Sequence, residues 1–231
     1  MKKFFSDWTK FEIGLLIVAT TIMTILSIIW KDSPIGFIST FTGIISVVLC
    51  AKGKISNYVF GFIYVSTYAF IAYQNKFYGE VMLNLLYYIP MNIIGIIMWK
   101  KHQGGENDDV QIRSMTKKQI IITAIVSVFA ILGYHTILKA LGGNLAIIDA
   151  VTTVAAVIAM YLQVARYTES WAMWIIVNLT SIVLWATALI TTGSTNITML
   201  IMWMAYLVNS TYGYINWKKL SKNNEKSQKA A

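Results

Sequence analysis

A run of aromatic and amide side chains in the second half of the chain is the clearest candidate for binding chemistry. In the segment WAMWIIVNLTSIVLW, the residues Trp171, Trp174, Asn178, Ser181 and Trp185 are spaced 3, 4, 3 and 4 apart. This spacing places all five on one face of a helix. Indole rings can stack on a flat heteroaromatic ligand and attract a delocalised cation, while an amide hydrogen-bonds its polar edge. The segment therefore predicts a binding face rather than a catalytic one.

Other apolar segments carry polar and aromatic side chains at the same helical spacing. The candidate binding residues among them are Tyr64, Tyr68, Asn84, Tyr88, Tyr206 and Asn209, with Asn57, Gly61, Asn92 and Trp203 as their neighbours. An amide inside a membrane must find a partner, so these stripes are expected to face inward rather than toward lipid. The alternative is that the amides only hydrogen-bond one helix to another.

Enzyme chemistry finds no support in the sequence, because no acid–base pair, metal-ligand cluster or nucleophile–histidine arrangement occurs. We predict no enzymatic activity, no cofactor and no metal. His102 and His135 are interpreted as a loop residue and an ordinary packed histidine. Three acidic residues, Glu12, Glu80 and Asp149, lie at the ends of apolar segments, and none lies near a midpoint. Coupled transporters carry ionisable groups deep in the membrane, so the pattern favours transport without a coupling ion.

The elements that must position these residues are membrane helices. The chain of 231 residues is 57% hydrophobic and only 13% charged. Its apolar runs are close to the length of about 20 residues that crosses a bilayer, and a helix satisfies its own backbone in lipid. We predict an all-α polytopic membrane protein with eight transmembrane helices. The predicted spans are 11–30, 34–51, 55–73, 80–99, 118–140, 147–165, 171–190 and 196–217.

The net charge of +9 reflects membrane orientation rather than nucleic-acid binding. With the N-terminus inside, sixteen of the 19 basic residues fall on the inner side, and only Lys31, Lys76 and Lys139 fall on the outer side. This asymmetry predicts that both termini are cytoplasmic. The loop 102–116 is predicted to be a cytoplasmic linker, and the polar tail 221–231 is predicted to be disordered.

Two phrases near the ends of the fourth and eighth spans indicate an internal repeat. GIIMWKK begins at Gly95 and GYINWKK at Gly213, and in both a tyrosine lies seven residues before the glycine. Three-helix units of the same orientation need one further helix to join them, which predicts a 3+1+3 arrangement with the first span added in front. Parallel repeats are a known transporter plan. The alternative is that Trp-Lys-Lys is merely an interfacial anchor.

This arrangement predicts five segments along the chain. They are an additional N-terminal helix at 1–33, a first three-helix repeat at 34–101, a cytoplasmic loop and linking helix at 102–140, a second repeat at 141–219 and a cytoplasmic tail at 220–231.

The sequence resembles the PnuC-type nicotinamide riboside transporters. The resemblance rests on NYVFGFIYVSTYAFIAYQNKFYGEVMLNLLYY, GIIMWKK, WAMWIIVN and GYINWKK, and it covers the second to eighth spans. Its most specific part is the W-x-x-W-x-x-x-N run, and the turn Tyr78-Gly79-Glu80 supports it. The resemblance implies a SWEET-like fold in the bacterial inner membrane and a homo-oligomer, namely a trimer. It also places Trp174 and Asn178 in the substrate site.

For function, the resemblance implies facilitated uptake of nicotinamide riboside for NAD biosynthesis, driven by phosphorylation of the vitamin inside the cell. This substrate carries a cationic ring, an amide and ribose hydroxyls, which suit aromatic and amide side chains. Two alternatives stay open. The first is a related transporter of thiamine or riboflavin, and the second is a membrane receptor or assembly scaffold that does not transport.

Overall fold

The computed structural model describes residues 8–29, 33–74, 78–103, 110–142, 145–192 and 197–230. Within these ranges the chain is helical and forms isolated bridges but no strand, which confirms the predicted all-α class. The helices are α1 (Lys10–Ile29), α2 (Pro34–Lys52), α3 (Asn57–Gln74), α4 (Tyr78–Leu83, a π-helical turn at Asn84–Tyr88, and Ile89–Lys100), α5 (Lys117–Ala140), α6 (Ala146–Val164), α7 (Ser170–Thr192) and α8 (Ile197–Ala230).

The eight helices of the described chain match the eight predicted spans. Among the described residues, five stretches are long and apolar enough to cross a membrane: α1, α2, Val81–Lys100 within α4, α5 and α6. A shorter apolar stretch, Ser170–Leu184, belongs to α7. The helix α3 contains several tyrosine, serine and threonine residues, and α8 continues into a charged segment, so both are less apolar.

The helices expose apolar side chains and bury small or polar ones. No residue of α5 is buried, and its Phe129 is 71% exposed. In α1 the buried residues are Glu12 and Ser27. Lipid is as apolar as leucine, so a membrane protein has no reason to hide such side chains from its surroundings. The exposed surface is therefore that of a protein embedded in a bilayer.

The described residues form two compact units. Unit 1 runs to Lys101 and holds α1–α4, and unit 2 comprises His102, Gln103 and the chain from Val110 and holds α5–α8. Within unit 1, α2 packs against α1 and α3, and α3 packs against α4. Within unit 2, each helix from α5 to α8 packs against the next.

The α2–α3 turn of unit 1 and the α6–α7 turn of unit 2 have the same hydrogen bonds. The amide of Gly53 donates to Cys50 O, and the amide of Arg166 donates to Gln163 O, a shift of 113 residues at both ends. Five further backbone hydrogen bonds of this turn follow the same shift. Gly53 and Arg166 both have positive φ, 80° and 67°, which costs glycine little but strains arginine. Unit 2 thus has the same turn as unit 1, although an arginine occupies the position of the glycine.

The two units also share a contact between an aromatic ring, a glycine and a tryptophan. In unit 1, the Tyr58 ring packs edge-on against the Trp99 ring, with their centroids 4.9 Å apart. A Cβ added to Gly95 would lie 2.3 Å from the tyrosine ring. In unit 2, Trp171 packs edge-on against Trp217 at 5.6 Å. A Cβ on Gly213 would lie 2.6 Å from the Trp171 ring.

Both tryptophans of the repeated phrase, Trp99 and Trp217, are fully buried. An interfacial anchor would be exposed to the headgroup region, so the anchor interpretation does not describe these two rings. The repeated sequence instead reflects a packing contact. Glycine is required at positions 95 and 213 because a neighbouring ring occupies the space that a side chain would need.

The predicted disorder of the tail is wrong for the described part, because α8 continues as one helix to Ala230. Its polar extension hydrogen-bonds the segment that precedes α5. Ser221 Oγ lies 2.8 Å from Ser114 Oγ, and Asn224 Nδ2 donates to Ile112 O at 2.9 Å. Composition alone indicated a solvated tail, since the partners lie more than a hundred residues earlier in the sequence.

The N-terminal helix α1 is fastened to α2 by a buried ion pair. Lys52 Nζ lies 2.8 Å from Glu12 Oε2 and 5.0 Å from the centre of the Trp8 ring. Thr9 and Glu12 form reciprocal hydrogen bonds that cap α1. In the sequence Lys52 counted only as a topology signal, but in the structure it is buried and paired.

We expect Gly95→Ala and Gly213→Ala to destabilise the folded protein by about 1–3 kcal/mol each, because the added methyl overlaps a buried ring that is held by a tryptophan. The matched control is Gly133→Ala in α5, where a Cβ meets nothing within 4 Å. It should be neutral or slightly stabilising. Thermal unfolding of the detergent-purified variants measures the difference. Unchanged melting of the first two variants would contradict this account of the repeat.

Candidate functional site

The polar stripe of α7 faces the interior of unit 2. Trp171, Asn178 and Ser181 are buried and Trp174 is half-buried. On the opposite face, apolar side chains such as Leu179 are exposed. The predicted inward orientation therefore holds for these four residues. The side chain of Trp185, the fifth residue of the stripe, lies outside the described part of the structure.

The ring of Trp174 is held at both its edge and its face. Its Nε1–H donates to Gln163 Oε1 at 2.9 Å. The ring packs against Ala155 and Ala156 of α6 and against Val177 of its own helix. Small residues on α6 leave room for the indole, and the hydrogen bond fixes its rotation. The ring is thus preorganised, which lowers the entropy cost of stacking on a ligand.

Asn178 takes part in a short hydrogen-bond relay between α7 and α8. Its Nδ2 donates to Ser210 Oγ at 2.7 Å, and Ser210 Oγ donates to Tyr206 O at 2.8 Å. Asn178 and Ser210 are 3% and 4% exposed. Buried polar groups of this kind are costly unless they are paired, so the relay defines one arrangement of the amide.

The candidate residues of α8 lie beside this relay. Tyr206 packs edge-on against Trp203 at 5.8 Å, and Trp203 contacts the same apolar cluster as Trp174. Asn209 is buried. Unit 2 therefore brings Trp174, Asn178 and Tyr206 together around one α7–α8 contact.

The remaining candidates lie in unit 1. Tyr64 and Tyr68 of α3 are half-buried, with ring centroids 5.9 Å apart. Asn84 and Tyr88 begin and end the π-helical turn of α4, and Asn84 is buried. Of these four residues, Asn84 is buried and the three tyrosines are half-buried.

The π-helical turn in α4 has a local cause. Pro90 follows it and lacks an amide hydrogen, so a regular helix would leave a carbonyl without its partner and crowd the proline ring. The amide of Ile89 instead reaches back to Asn84 O. Single π turns are frequent at functional sites. This turn changes which side chains α4 presents to α3.

Unit 1 lacks a counterpart of the Trp174 ring. The shift of 113 residues that relates the two turns places Gly61 at the position of Trp174. A Cβ on Gly61 would lie 2.5 Å from Asn92 Oδ1, so α3 and α4 approach closely there. Asn92 Nδ2 also donates to Tyr88 O at 2.8 Å. Among the described residues, the half-buried indole of Trp174 therefore has no equivalent in unit 1.

The sequence did not predict two residues that hold the candidate binding side chains. One residue of the predicted stripe, Trp171, has a different role. Gln163 and Ser210 hold Trp174 and Asn178, but neither was among the candidates. A lone polar residue inside an apolar run was the available signal. Trp171 belongs to the motif but packs against Trp217, and its role is structural.

Two charged residues of unit 2 lie at the two ends of α6. Asp149 is exposed in the first turn of α6. Arg166 is buried in the α6–α7 turn, where Nη1 donates to Gln111 O at 2.9 Å. Burial, followed by the nearby Arg113 guanidinium, lowers the pKa of Arg166 to about 10. It remains cationic at neutral pH, and its hydrogen bond joins the turn to the segment before α5. The described residues contain no cluster of metal-ligand side chains.

Comparison with known proteins gives one consistent family. The family model described as nicotinamide mononucleotide transporter matches residues 33–219, which leaves out α1. The chain is similar to the nicotinamide riboside transporter PnuC of Neisseria mucosa, with 41% identity over 96% of this chain and 86% of that protein. It is 37% identical to the nicotinamide riboside transporter PnuC of Haemophilus influenzae, over 96% of this chain and 95% of that protein.

A solved structure supports the same relationship. The crystal structure of the vitamin B3 transporter PnuC matches with a TM-score of 0.81 and 41% identity, covering 96% of this chain and 97% of that one. The matched region covers 96% of this chain, so the part left out is shorter than α1. The similarity of the two structures therefore extends into α1, although the family model begins after it.

We expect Gln163→Leu to release the indole of Trp174 without unfolding the protein. In ¹⁵N-tryptophan spectra of the eight indoles, the Trp174 N–H resonance should move upfield as its hydrogen bond is lost. Trp174→Phe assigns the signal. Gln163→Glu keeps the acceptor oxygen and should leave the resonance hydrogen-bonded. A Trp174 signal that ignores Gln163→Leu would show that the bond does not hold the ring.

Proposed function

The chain belongs to the nicotinamide mononucleotide transporter family, and from this premise we propose that it is a membrane facilitator for nicotinamide riboside. The observation that carries the proposal is the pair of relatives named nicotinamide riboside transporters, which match at 41% and 37% identity over 96% of the chain. A family of transporters also agrees with the prediction that the chain is not an enzyme.

The riboside suits the candidate site better than the mononucleotide of the family description. A phosphate group needs arginine or lysine partners when it leaves water. The sequence from Ser170 to Trp217, which includes α7 and the apolar part of α8, contains no lysine, arginine or histidine. Rings and amides can instead receive a cationic pyridinium with its carboxamide and hydroxyls.

In the proposed site, Trp174 stacks on the pyridinium ring and Asn178 hydrogen-bonds a polar group of the ligand. The preorganised indole and the buried amide support these roles. The other proposed binding residues come from the same stripes. They are Ser181, Trp185, Tyr206 and Asn209 of unit 2 and Tyr64, Tyr68, Asn84 and Tyr88 of unit 1.

For mechanism we propose passage down the substrate gradient without a coupling ion, followed by phosphorylation in the cytoplasm that traps the product. Support comes from the positions of the acids: Asp149 is exposed at a helix end, and Glu12 is paired with Lys52. Neither carboxylate belongs to the proposed site, so neither is placed to carry a proton through it. A ligand bound without a coupling ion can equilibrate but cannot accumulate.

For architecture we propose two three-helix repeats, 34–101 and 141–219, joined by a loop and linking helix at 102–140, with an additional helix at 1–33 and a tail at 220–231. The shared turn and the shared aromatic–glycine contact support the duplication. Transport by movement of one repeat against the other follows the plan of related folds. The basic residues favour both termini in the cytoplasm. From the family resemblance we propose an inner-membrane protein that forms a homo-oligomer, namely a trimer.

We expect Trp174→Ala and Asn178→Ala each to weaken nicotinamide riboside binding by about 1–3 kcal/mol, because a stacking ring or a hydrogen-bond partner is lost. Leu179→Ala, beside Asn178 but on the exposed face, should bind normally. Calorimetry with nicotinamide riboside, thiamine, riboflavin and nicotinamide on the purified protein measures this. Tighter binding of thiamine or riboflavin than of nicotinamide riboside would make that vitamin the substrate instead. Normal nicotinamide riboside binding by both alanine variants would show that Trp174 and Asn178 do not belong to the site.

In proteoliposomes, we expect labelled nicotinamide riboside to equilibrate in either direction, unaffected by collapse of an imposed proton or sodium gradient. Empty liposomes are the control. Accumulation that follows either gradient would overturn the facilitator mechanism, and Asp149→Asn would then be the first variant to examine. Binding without any flux would favour the receptor or scaffold interpretation.

A further inference from the structure

The side chain of Ser210 has a fixed hydrogen-bond direction. Its Oγ lies 2.8 Å from the carbonyl of Tyr206, one turn earlier in α8, and 2.7 Å from Asn178 Nδ2. A hydroxyl group carries one hydrogen and two lone pairs. In the structure the hydrogen of Ser210 points to the Tyr206 carbonyl. In this arrangement the hydroxyl accepts from Asn178 Nδ2.

This direction determines how the amide of Asn178 lies. Its NH₂ group faces Ser210, and a flipped amide would set Oδ1 against an oxygen lone pair as long as the hydroxyl stays on Tyr206 O. Both side chains are almost completely buried, so water cannot relieve such a mismatch. The carbonyl oxygen Oδ1 consequently points away from Ser210. Among the described residues, none donates a hydrogen bond to it.

The neighbouring ring offers no donor either. Trp174 lies four residues before Asn178 on the same face, which sets their Cβ atoms about 5–6 Å apart. Its Nε1–H is already engaged by Gln163. Together the two residues present an aromatic face and, beside it, a hydrogen-bond acceptor.

We propose that Ser210 is a positioning residue that makes the site selective for the carboxamide of nicotinamide riboside. A pyridinium ring stacked on Trp174 places its ring substituent next to Asn178, and the carboxamide NH₂ donates to Oδ1. The inference rests on the proposed function and adds its specificity. A ligand of the same charge and shape that lacks the NH₂ group leaves Oδ1 unpaired and binds more weakly.

The probe that tests this is 3-acetylpyridine riboside, in which a methyl group replaces the NH₂ and the cationic ring is kept. We expect the unmodified protein to bind nicotinamide riboside about tenfold more tightly than this analogue. In Ser210→Ala the amide is free to turn, so the preference should fall to about twofold or less. Ser210→Thr keeps a hydroxyl at this position and should retain the preference.

The matched control is Thr211→Ala. Thr211 Oγ1 makes the same kind of bond to the carbonyl four residues earlier, at 2.8 Å, but it is exposed. This variant should keep both affinities. Asn178→Leu removes the amide itself and must abolish the preference, so it decides the matter if Ser210→Ala does not fold.

The outcomes separate this inference from the proposed function. If the unmodified protein binds both ribosides equally, or Ser210→Ala weakens both by the same factor, Ser210 only packs α7 against α8 and the inference is overturned. If the unmodified protein binds neither riboside, the proposed function fails first and the carboxamide selectivity fails with it.

Discussion

Polar groups in a bilayer must find their partners inside the protein, and most features of this chain depend on that requirement. Helices satisfy the backbone, so the side chains that remain to be paired decide how the helices turn and dock. Asn178 reaches Ser210, the Trp174 indole reaches Gln163, and Glu12 reaches Lys52. Each pair joins two helices. The surface of the described residues exposes many large apolar side chains, as lipid permits.

The same requirement explains how two similar units come to differ between their helices. Their turns share backbone hydrogen bonds at a constant sequence shift, so the frame is common to both. Unit 1 fills the space between its helices with a glycine and an amide, Gly61 and Asn92. Unit 2 places the indole of Trp174 at the position of that glycine. Two units with the same turn can therefore hold different side chains between their helices.

Sequence periodicity predicted the features that repeat over several turns of helix. The eight helices and the inward stripe of α7 followed from the spacing of apolar and polar residues. Contacts between distant residues could not be predicted in this way. Gln163 and Ser210 are identified only once their partners on α7 are known, and the extension of α8 is helical because Asn224 meets a segment more than a hundred residues away.

The buried ion pair of α1 has a consequence for the order of biogenesis. Glu12 and Lys52 are 40 residues apart, so the carboxylate is synthesised 40 residues before its partner. Until then its charge is stable only in water, at the end of the first span. The second span must therefore be synthesised as far as Lys52 before α1 can pack against α2. The α1–α2 hairpin is thus the earliest tertiary contact that the nascent chain can complete, and a stalled chain shorter than this would leave α1 undocked.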